Sequence, residues 1–321
     1  MLAAVTVMVY AAGFDGNFVY EDTRTQVGGF GQTISVLGEW RGVRGLWRPR
    51  GLTDATYSAT TAWAGASSRA AKAVNLGVHL LNGALLWLLA QRVVSAPAAV
   101  FALGLFWLLP VQSEPVTGIA YRSELIVGFW LLLALVAAER GWLPVAWLCA
   151  ALAVTGKDAG IVALALVPAW LSWRRSSAWT RAAKTWWAVA CVTPVLYGLL
   201  TLQRFDALHV QPPEGMARQL AALGGLMRVA IWPDALTVDP DWTHLSGWVA
   251  LLAVQAWVAL LAWAYLRRWP LWGFALAWTL IAFLPRIVLQ LGDGPYERYL
   301  YTPLLAWCLA AGAALYPKES V

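Results

Sequence analysis

The sequence predicts an all-α membrane protein, a polytopic helical bundle that forms a single domain over residues 1–321. Hydrophobic residues make up 60% of the chain and charged residues only 12%, which is about half the share of charge that soluble domains carry. The 22 tryptophans suit a protein with many boundaries between membrane and water, where an amphipathic ring is stable. Apolar runs of nearly bilayer length give about ten predicted spans.

The predicted spans lie near residues 1–14, 73–91, 97–110, 124–138, 142–156, 159–173, 185–202, 247–266, 270–291 and 300–316. A signal peptide is the alternative for the first run. That run lacks a basic leader and a clear cleavage site, so we expect an uncleaved span.

Two long segments, about 15–72 and 203–246, remain as external loops. Tryptophans interleaved with arginines predict interfacial helices in the first loop. Apolar positions at helical spacing predict another interfacial helix over 217–232.

Basic residues are distributed unevenly between the two sets of connecting loops. With a cytoplasmic N-terminus, the short cytoplasmic loops hold Arg92, Arg140, Arg174, Arg175, Arg181, Lys184, Arg267, Arg268 and Lys318, against only Glu139 and Glu319. An excess of Lys and Arg in short loops marks the cytoplasmic side of a membrane protein. The net charge of +6 is therefore a topology signal, and it does not indicate a nucleic-acid partner.

Nearly all the unusual polar residues fall on the opposite, non-cytoplasmic side. They are Glu21, Asp22, Gln112, Glu114, Arg122, Glu124, Lys157, Asp158, Asp234, Asp239, Asp241, Asp293, Glu297 and Arg298. Group transfer from an anionic lipid carrier needs a carboxylate to deprotonate the acceptor hydroxyl and cations to neutralise the departing phosphate. The alternative is a set of ordinary loop charges: Lys157 would anchor a span end, Arg122 would pair with Glu124, and Arg298 with Glu297.

Some polar residues lie inside the predicted spans. Asn75, His79 and Asn82 stand at i, i+4 and i+7, so they share one helix face, which should turn into the bundle because polar groups are costly in lipid. Hydrogen bonding between helices is the favoured role, with substrate contact as the alternative. Arg286 follows Pro285 inside the ninth run, and an intramembrane charge is a candidate functional residue.

Seven segments resemble, in order, the motifs of the transmembrane O-mannosyltransferases targeting cadherins and of their bacterial relatives. The segment LLPVQSEPVTGIAYRSEL (108–125) is similar to that family's HPVHTEAV-x-x-I-x-x-R-x-D-L signature. The other segments are NFVYEDT (17–23), WRPRGLTDATY (47–57), the pattern of Asn75, His79 and Asn82, GKDAGI (156–161), IWPDALTVDPDW (231–242) and YERYLYTP (296–303).

The sequence also departs from the family pattern. Leu109 stands where the family has the first histidine of its HPV motif, and Lys72 replaces the first histidine of its H-L-x-N helix. Asp158 replaces the second acid of the family's KE motif. The C-terminal helical repeats of the eukaryotic members are not represented, which puts recognition of a protein acceptor in doubt.

The resemblance implies a GT-C fold whose first long external loop carries the catalytic acid. It also implies inverting transfer of a hexose, with mannose in the nearest family, from a polyprenyl-phosphate carrier to an acceptor hydroxyl outside the cytoplasm. Asp22 matches the catalytic acid, with Glu21 beside it. The acceptor itself, whether glycan, lipid or protein, is left open.

The remaining site residues follow from the matched motifs and from Arg286. We expect the donor phosphate to be bound by Arg298, Lys157 and Arg286. The polar residues expected to complete the substrate site are Glu114, Arg122, Glu297, His79 and Asn75. We expect no cofactor and no obligatory metal, because two adjacent acids do not define a metal site.

Three other functions compete with the transferase: a ligase or phosphotransferase for lipid-linked polymer, a transporter or flippase for lipid-linked glycans, and an inactive scaffold. A transporter predicts charged residues through the depth of several spans, whereas here they concentrate at one end. The use of Ala, Arg and Trp suggests a GC-rich bacterium. That source implies undecaprenyl phosphate as the carrier, the inner membrane as the location and the periplasm as the working side.

Overall fold

The computed structural model describes residues 1–15, 50–65, 67–204, 209–234, 236–237, 247–266, 270–289 and 296–316. Within these ranges the chain is helical apart from turns and one isolated β-bridge between Val210 and Leu289. The predicted all-α class is confirmed for this part of the chain. The predicted catalytic residues Glu21 and Asp22 lie outside the described residues, as do Asp239, Asp241 and Asp293.

The α-helices of the described ranges are α1 (Leu2–Ala11), α2 (Gly51–Ala64), α3 (Ser68–Ala90), α4 (Ala96–Leu108), α5 (Ser113–Thr117), α6 (Arg122–Glu139), α7 (Leu143–Gly156), α8 (Ala163–Trp173), α9 (Arg181–Ala190), α10 (Val192–Arg204), α11 (Pro213–Ile231), α12 (Gly247–Leu266), α13 (Pro270–Val288) and α14 (Tyr301–Leu315). Short 3₁₀ turns at Pro110–Gln112, Ile119–Tyr121, Asp158–Val162 and Glu297–Leu300 lead into α5, α6, α8 and α14.

Several helices begin at residues that satisfy the free backbone groups of a first turn. The Ser67 hydroxyl accepts a hydrogen bond from the Ala70 N–H, and the Thr180 hydroxyl accepts one from the Ala183 N–H. Helices α4 and α7 carry a proline in the first turn, where the missing N–H is not needed. These capping residues are local signals in the sequence.

Each predicted span coincides with one helix or with a pair of helices. Within the described ranges, three segments are long and apolar enough to cross a membrane: Ser68–Ala90, Ile119–Glu139 and Leu271–Val288. A fourth would be formed by Ala96–Leu108 together with Pro110–Thr117, which are bent by 53° relative to each other. The predicted 185–202 run is divided at Cys191 into α9 and α10. These lengths and compositions indicate a membrane protein.

The main core lies where α3, α4, α6, α7, α8, α13 and α14 pack together. Small residues allow close approach, as is usual between membrane helices. On α14, a Cβ added at Gly312 would lie only 2.5 Å from the carbonyl oxygen of Ala98 on α4. A second cluster joins α11, α12, α13 and the start of α14, and it includes Tyr299 and Leu300.

The bundle separates its polar residues into two ends. At one end, Arg174 Nε donates to Glu139 Oε1 at 3.2 Å, and Arg174 Nη2 donates to the Arg92 carbonyl at 3.2 Å. These residues belong to the loops assigned to one side of the predicted bundle. The other end is formed where α6 and α14 begin and where α7 and α13 finish, and there the predicted site residues lie.

Helix α2 packs onto this second end. The Thr53 hydroxyl donates to the Gly156 carbonyl at 2.7 Å, and the Tyr57 hydroxyl donates to the Ile119 carbonyl at 2.5 Å. The first external loop was predicted to contain interfacial helices, and α2 is a helix of that loop. Its contacts attach it to the ends of the bundle helices.

Candidate functional site

The predicted site residues that the structure describes are brought to the second end of the bundle, and all are buried. They are Asn75, His79, Glu114, Arg122, Lys157, Arg286, Glu297 and Arg298. Glu124, which was singled out beside Arg122, is buried there as well. Buried ionised groups are stable only when they are paired and hydrogen-bonded. Their partners therefore show which residues fix the structure and which could meet a ligand.

Glu114 and Arg298 form the first buried ion pair. Arg298 Nη1 donates to Glu114 Oε1 at 2.6 Å, and the Arg298 backbone N–H donates to Glu114 Oε2 at 2.9 Å. This contact ties α5 to the turn before α14. Burial raises the pKa of Glu114 to about 7, although the charge and hydrogen bonds of Arg298 oppose the shift. The alternative considered for Arg298, a pair with its neighbour Glu297, is not what the structure shows.

Lys157 and Glu124 form the second buried ion pair. Lys157 Nζ donates to Glu124 Oε1, and both side chains are largely withdrawn from solvent. Burial lowers the pKa of Lys157, Glu124 opposes that shift, and the nearby charges of Arg50 and Arg286 lower it further. Lys157 is therefore not a span-end anchor that reaches toward water.

Three cations surround one aromatic ring. The Arg286 guanidinium carbon lies 3.4 Å from the centroid of the Tyr299 ring, Lys157 Nζ lies 4.7 Å from it, and the Arg298 guanidinium carbon lies 5.2 Å from it. Such positions favour cation–π attraction. These are the three residues that the sequence assigned to the donor phosphate. We name Tyr299 with these cations, Arg286, Lys157 and Arg298, the tyrosine–cation cluster.

Arg122 has a structural role at the edge of this end. It is fully buried, and its Nε donates to Asn75 Oδ1 at 2.7 Å, its Nη1 to Thr60 Oγ1 at 2.9 Å and its Nη2 to the Ala71 carbonyl at 3.1 Å. The suggested pair of Arg122 with Glu124 is wrong. The planar guanidinium fork suits such multiple bonding, so Arg122 joins α2, α3 and α6.

The polar face of α3 turns into the bundle, as predicted. Asn75, His79 and Asn82 are all fully buried. The Tyr301 hydroxyl lies 2.9 Å from His79 Nδ1 and accepts a hydrogen bond from Asn82 Nδ2 at 2.9 Å. The side chain of Asn82 also donates to the Leu125 carbonyl at 2.9 Å. This network performs the interhelical hydrogen bonding that the sequence favoured for these residues.

Glu297 holds a neighbouring loop. Its Oε1 accepts a hydrogen bond from the Thr237 backbone N–H at 2.8 Å. Burial raises the pKa of Glu297, and the hydrogen bond from Thr237 opposes this shift. Thr237, from the 231–242 motif, is thus attached to the residue that precedes Arg298.

Both ends of the undescribed 16–49 stretch are attached to this same end of the bundle. Before the stretch, Asp15 pairs with Arg69, and the Gly13 carbonyl accepts a hydrogen bond from Lys72 Nζ at 2.9 Å. After it, Arg50 lies close enough to Lys157 to influence its charge. Arg50 has a φ of +61°, an uncommon conformation for a residue other than glycine.

The tyrosine–cation cluster brings together three cations, which is what the binding of an anion requires. Four carboxylates of the described ranges also lie in this region, where charges interact more strongly than in water: Glu114, Glu124, Asp158 and Glu297. Among the described residues, no group of three or more His, Cys, Asp or Glu side chains is placed to hold a metal ion. The expectation that no metal is needed stays a prediction, since the two acids in question lie outside the described part.

Tyr299 is the residue that sequence reasoning missed. It belongs to the YERYLYTP segment, in which the charged Glu297 and Arg298 attracted attention. Arg298 also lies over the rings of Tyr121, at 4.2 Å, and Tyr296, at 3.9 Å. Three tyrosines within six residues, at 296, 299 and 301, next to an arginine were the available signal.

Comparisons with known proteins identify no relative of this chain. No family model matches the sequence, no curated protein matches it, and no solved structure matches the fold.

Proposed function

We propose that this protein is a membrane glycosyltransferase of the GT-C type that uses a polyprenyl-phosphate sugar. It transfers the hexose, with inversion, to an acceptor hydroxyl on the non-cytoplasmic side of a bacterial inner membrane. The proposal includes a bundle of about ten spans, in which helices shorter than a full bilayer crossing pack within the bundle or tilt.

The observation that carries the proposal is the tyrosine–cation cluster. Arg286, Lys157 and Arg298 come from α13, the end of α7 and the turn before α14, yet all three lie within 5.2 Å of the centroid of one ring. A phosphate that leaves with developing negative charge is stabilised by prearranged cations in a water-poor site. Arginine can bond two phosphate oxygens at once, and lysine adds a point charge.

Asp22 supplies the general base in this proposal, with Glu21 beside it. The attachment of Asp15 and Arg50 at the cluster end supports this role, because the intervening chain leaves and re-enters the described structure there. A carboxylate in reach of the acceptor hydroxyl removes its proton as the oxygen attacks the anomeric carbon. The bond from that carbon to the phosphate oxygen breaks, and the lipid phosphate departs.

The distribution of charge supports the orientation. Arg92, Arg140 and Arg174 lie at the end opposite the cluster, where we place the cytoplasm by the excess of basic residues. The tyrosine–cation cluster then faces the periplasm. A transporter or flippase is less well supported, since the buried charged residues collect at one end rather than through the depth of the described helices.

Hexose transfer from radiolabelled undecaprenyl-phosphate sugars tests the proposal. Purified wild-type protein should release one hexose of a panel, and Asp22→Asn should abolish release while lipid binding and the melting temperature are retained. The Arg140→Gln variant, altered at the opposite end, is the matched control and should remain active.

Two results would count against this proposal. Equal release by wild type and Asp22→Asn would remove Asp22 from the mechanism. Failure of the wild-type protein to turn over any sugar, with lipid binding intact, would favour a transporter or a scaffold.

A further inference from the structure

Two buried polar atoms near the tyrosine–cation cluster have no hydrogen-bond partner among the described residues. One is the side-chain nitrogen Nε2 of Gln112, a hydrogen-bond donor, and the other is the carboxylate oxygen Oδ1 of Asp158, an acceptor. Most buried polar atoms in proteins have a hydrogen-bond partner. Leaving one without a partner lowers the stability of the fold by about 1–3 kcal/mol. A ligand that forms hydrogen bonds with both atoms would explain why the protein retains these two side chains.

Gln112 belongs to the segment that packs against the turn carrying Arg298 and Tyr299. Its residue is only 1% exposed. The adjacent Val111 packs in the same apolar cluster as Tyr299 and Leu300. Two residues further on, Glu114 forms the ion pair with Arg298. The residues on both sides of Gln112 therefore place its backbone close to the turn that carries Arg298 and Tyr299.

Asp158 directly follows Lys157, whose Nζ lies 4.7 Å from the centroid of the Tyr299 ring, and the Asp158 carboxylate interacts with the charge of Lys157. The 3₁₀ turn that carries Asp158 is held tightly against α7, because a Cβ added at Gly160 would lie only 2.0 Å from the carbonyl oxygen of Ala153. Glycine is thus required two residues after Asp158, and the close approach fixes where Asp158 stands relative to Lys157.

We infer that Gln112 and Asp158 bind the hydroxyl groups of the sugar carried on the lipid phosphate. Each sugar hydroxyl both accepts and donates a hydrogen bond, so one ring accepts from Gln112 Nε2 and donates to Asp158 Oδ1. The oxygens of an ionised phosphate only accept hydrogen bonds. A phosphate alone would therefore pair with Gln112 Nε2 and leave Asp158 Oδ1 without a donor. This inference rests on the proposed function, and it assigns the recognition of the sugar to residues distinct from the cations that bind the phosphate.

The test compares the binding of two lipids to the purified protein: undecaprenyl phosphate, and undecaprenyl phosphate carrying a hexose. The variants are Gln112→Leu and Asp158→Leu, which remove the donor and the acceptor respectively. The control is Trp147→Phe, which also removes a buried N–H without a described partner. Trp147 lies about 15 Å along α7 from Lys157, from the helical rise per residue.

We expect each site variant to lose about tenfold or more in affinity for the sugar-bearing lipid. Affinity for undecaprenyl phosphate should stay within about twofold of wild type, and Trp147→Phe should bind both lipids normally. The melting temperature of Gln112→Leu should not fall, because an unpaired buried donor is replaced by an apolar group. If Gln112→Leu fails to fold, Gln112→Met provides the same comparison with a more adaptable side chain.

Two outcomes would overturn the inference in different ways. Wild-type affinity for the sugar-bearing lipid in both site variants would show that these atoms do not contact the sugar, with the proposed function unaffected. Failure of the wild-type protein to bind either lipid would overturn the proposed function and this inference with it.

Discussion

The ion pair of Lys157 with Glu124 connects the end of α7 to the start of α6, with both side chains withdrawn from solvent. Removing one member of a buried pair leaves the other charge uncompensated, which typically destabilises a protein by about 3–5 kcal/mol. Replacing both members with apolar residues is far less damaging. The pair therefore combines a structural role with the supply of a cation to Tyr299.

Lys157→Met should lower the stability of the purified protein strongly, and the double variant Lys157→Met with Glu124→Leu should recover most of the loss. Thermal unfolding in detergent measures this double-mutant cycle. The coupling free energy should exceed about 3 kcal/mol in magnitude, because each single variant leaves one uncompensated buried charge and the double variant leaves none. Additive effects of the two substitutions would show that the buried pair does not exist in solution.

Glu114 should make stability depend on pH. Its folded-state pKa is raised from 4.5 to about 7 by burial, so the folded protein holds the proton more tightly than the unfolded chain. The resulting stabilisation is fully present below pH 4.5 and is lost as the pH rises through 7.

The melting temperature of wild type should therefore fall more between pH 5 and pH 8 than that of Glu114→Gln, which lacks this titration. Differential scanning fluorimetry at both pH values provides the comparison. Parallel profiles for the two proteins would contradict the raised pKa.

At the scale of elements, the close contact of α4 with α14 depends on a glycine, which has no side chain. Gly312 faces the Ala98 carbonyl at a distance that a methyl group does not fit. Gly77, on α3, offers a matched comparison, because a Cβ added there would meet no atom within 4 Å.

Gly312→Ala should destabilise the protein by about 1–3 kcal/mol, the usual effect of overpacking. Gly77→Ala should be neutral or slightly stabilising, because alanine favours helix more than glycine does. Thermal unfolding of the two variants measures the contrast. An equal effect of both substitutions would mean that α4 and α14 are further apart than described.

The same scale explains what the sequence could predict. Apolar runs are local features, so nearly every predicted span coincides with a helix, and residues 217–231 of the predicted 217–232 helix lie within α11. The break at Cys191 between α9 and α10 was missed because the apolar run continues through it. The start of α3 was placed five residues late, since Ser67 caps a turn that carries charged residues.

The partners of the site residues were harder to predict. Neighbours in sequence were considered for Arg122 and Arg298, yet the actual partners lie on other elements: Asn75 for the former and Glu114 for the latter. Such contacts depend on which helices pack together, and a single sequence does not show which helices these are. Tyr299 was missed for the same reason, because its importance comes only from the cations that surround it.

At the scale of the molecule, the two polar ends predict the orientation in the membrane. In a background where Cys149, Cys191 and Cys308 are replaced by alanine, Arg140→Cys should react with an impermeant thiol reagent only from the cytoplasm. Asp234→Cys should react only from the periplasm. Both positions are exposed. Labelling of both from the same side would contradict the proposed topology.

The most direct test of the central claim is the affinity of the purified protein for undecaprenyl phosphate in Arg286→Gln compared with wild type and Arg140→Gln. If the tyrosine–cation cluster binds the lipid phosphate, Arg286→Gln should bind at least about tenfold more weakly, the value of one charge-assisted contact. Arg140→Gln should bind as wild type does, and all three proteins should be folded at the temperature of the assay. Equal affinity in the three proteins would show that the phosphate does not bind at Tyr299.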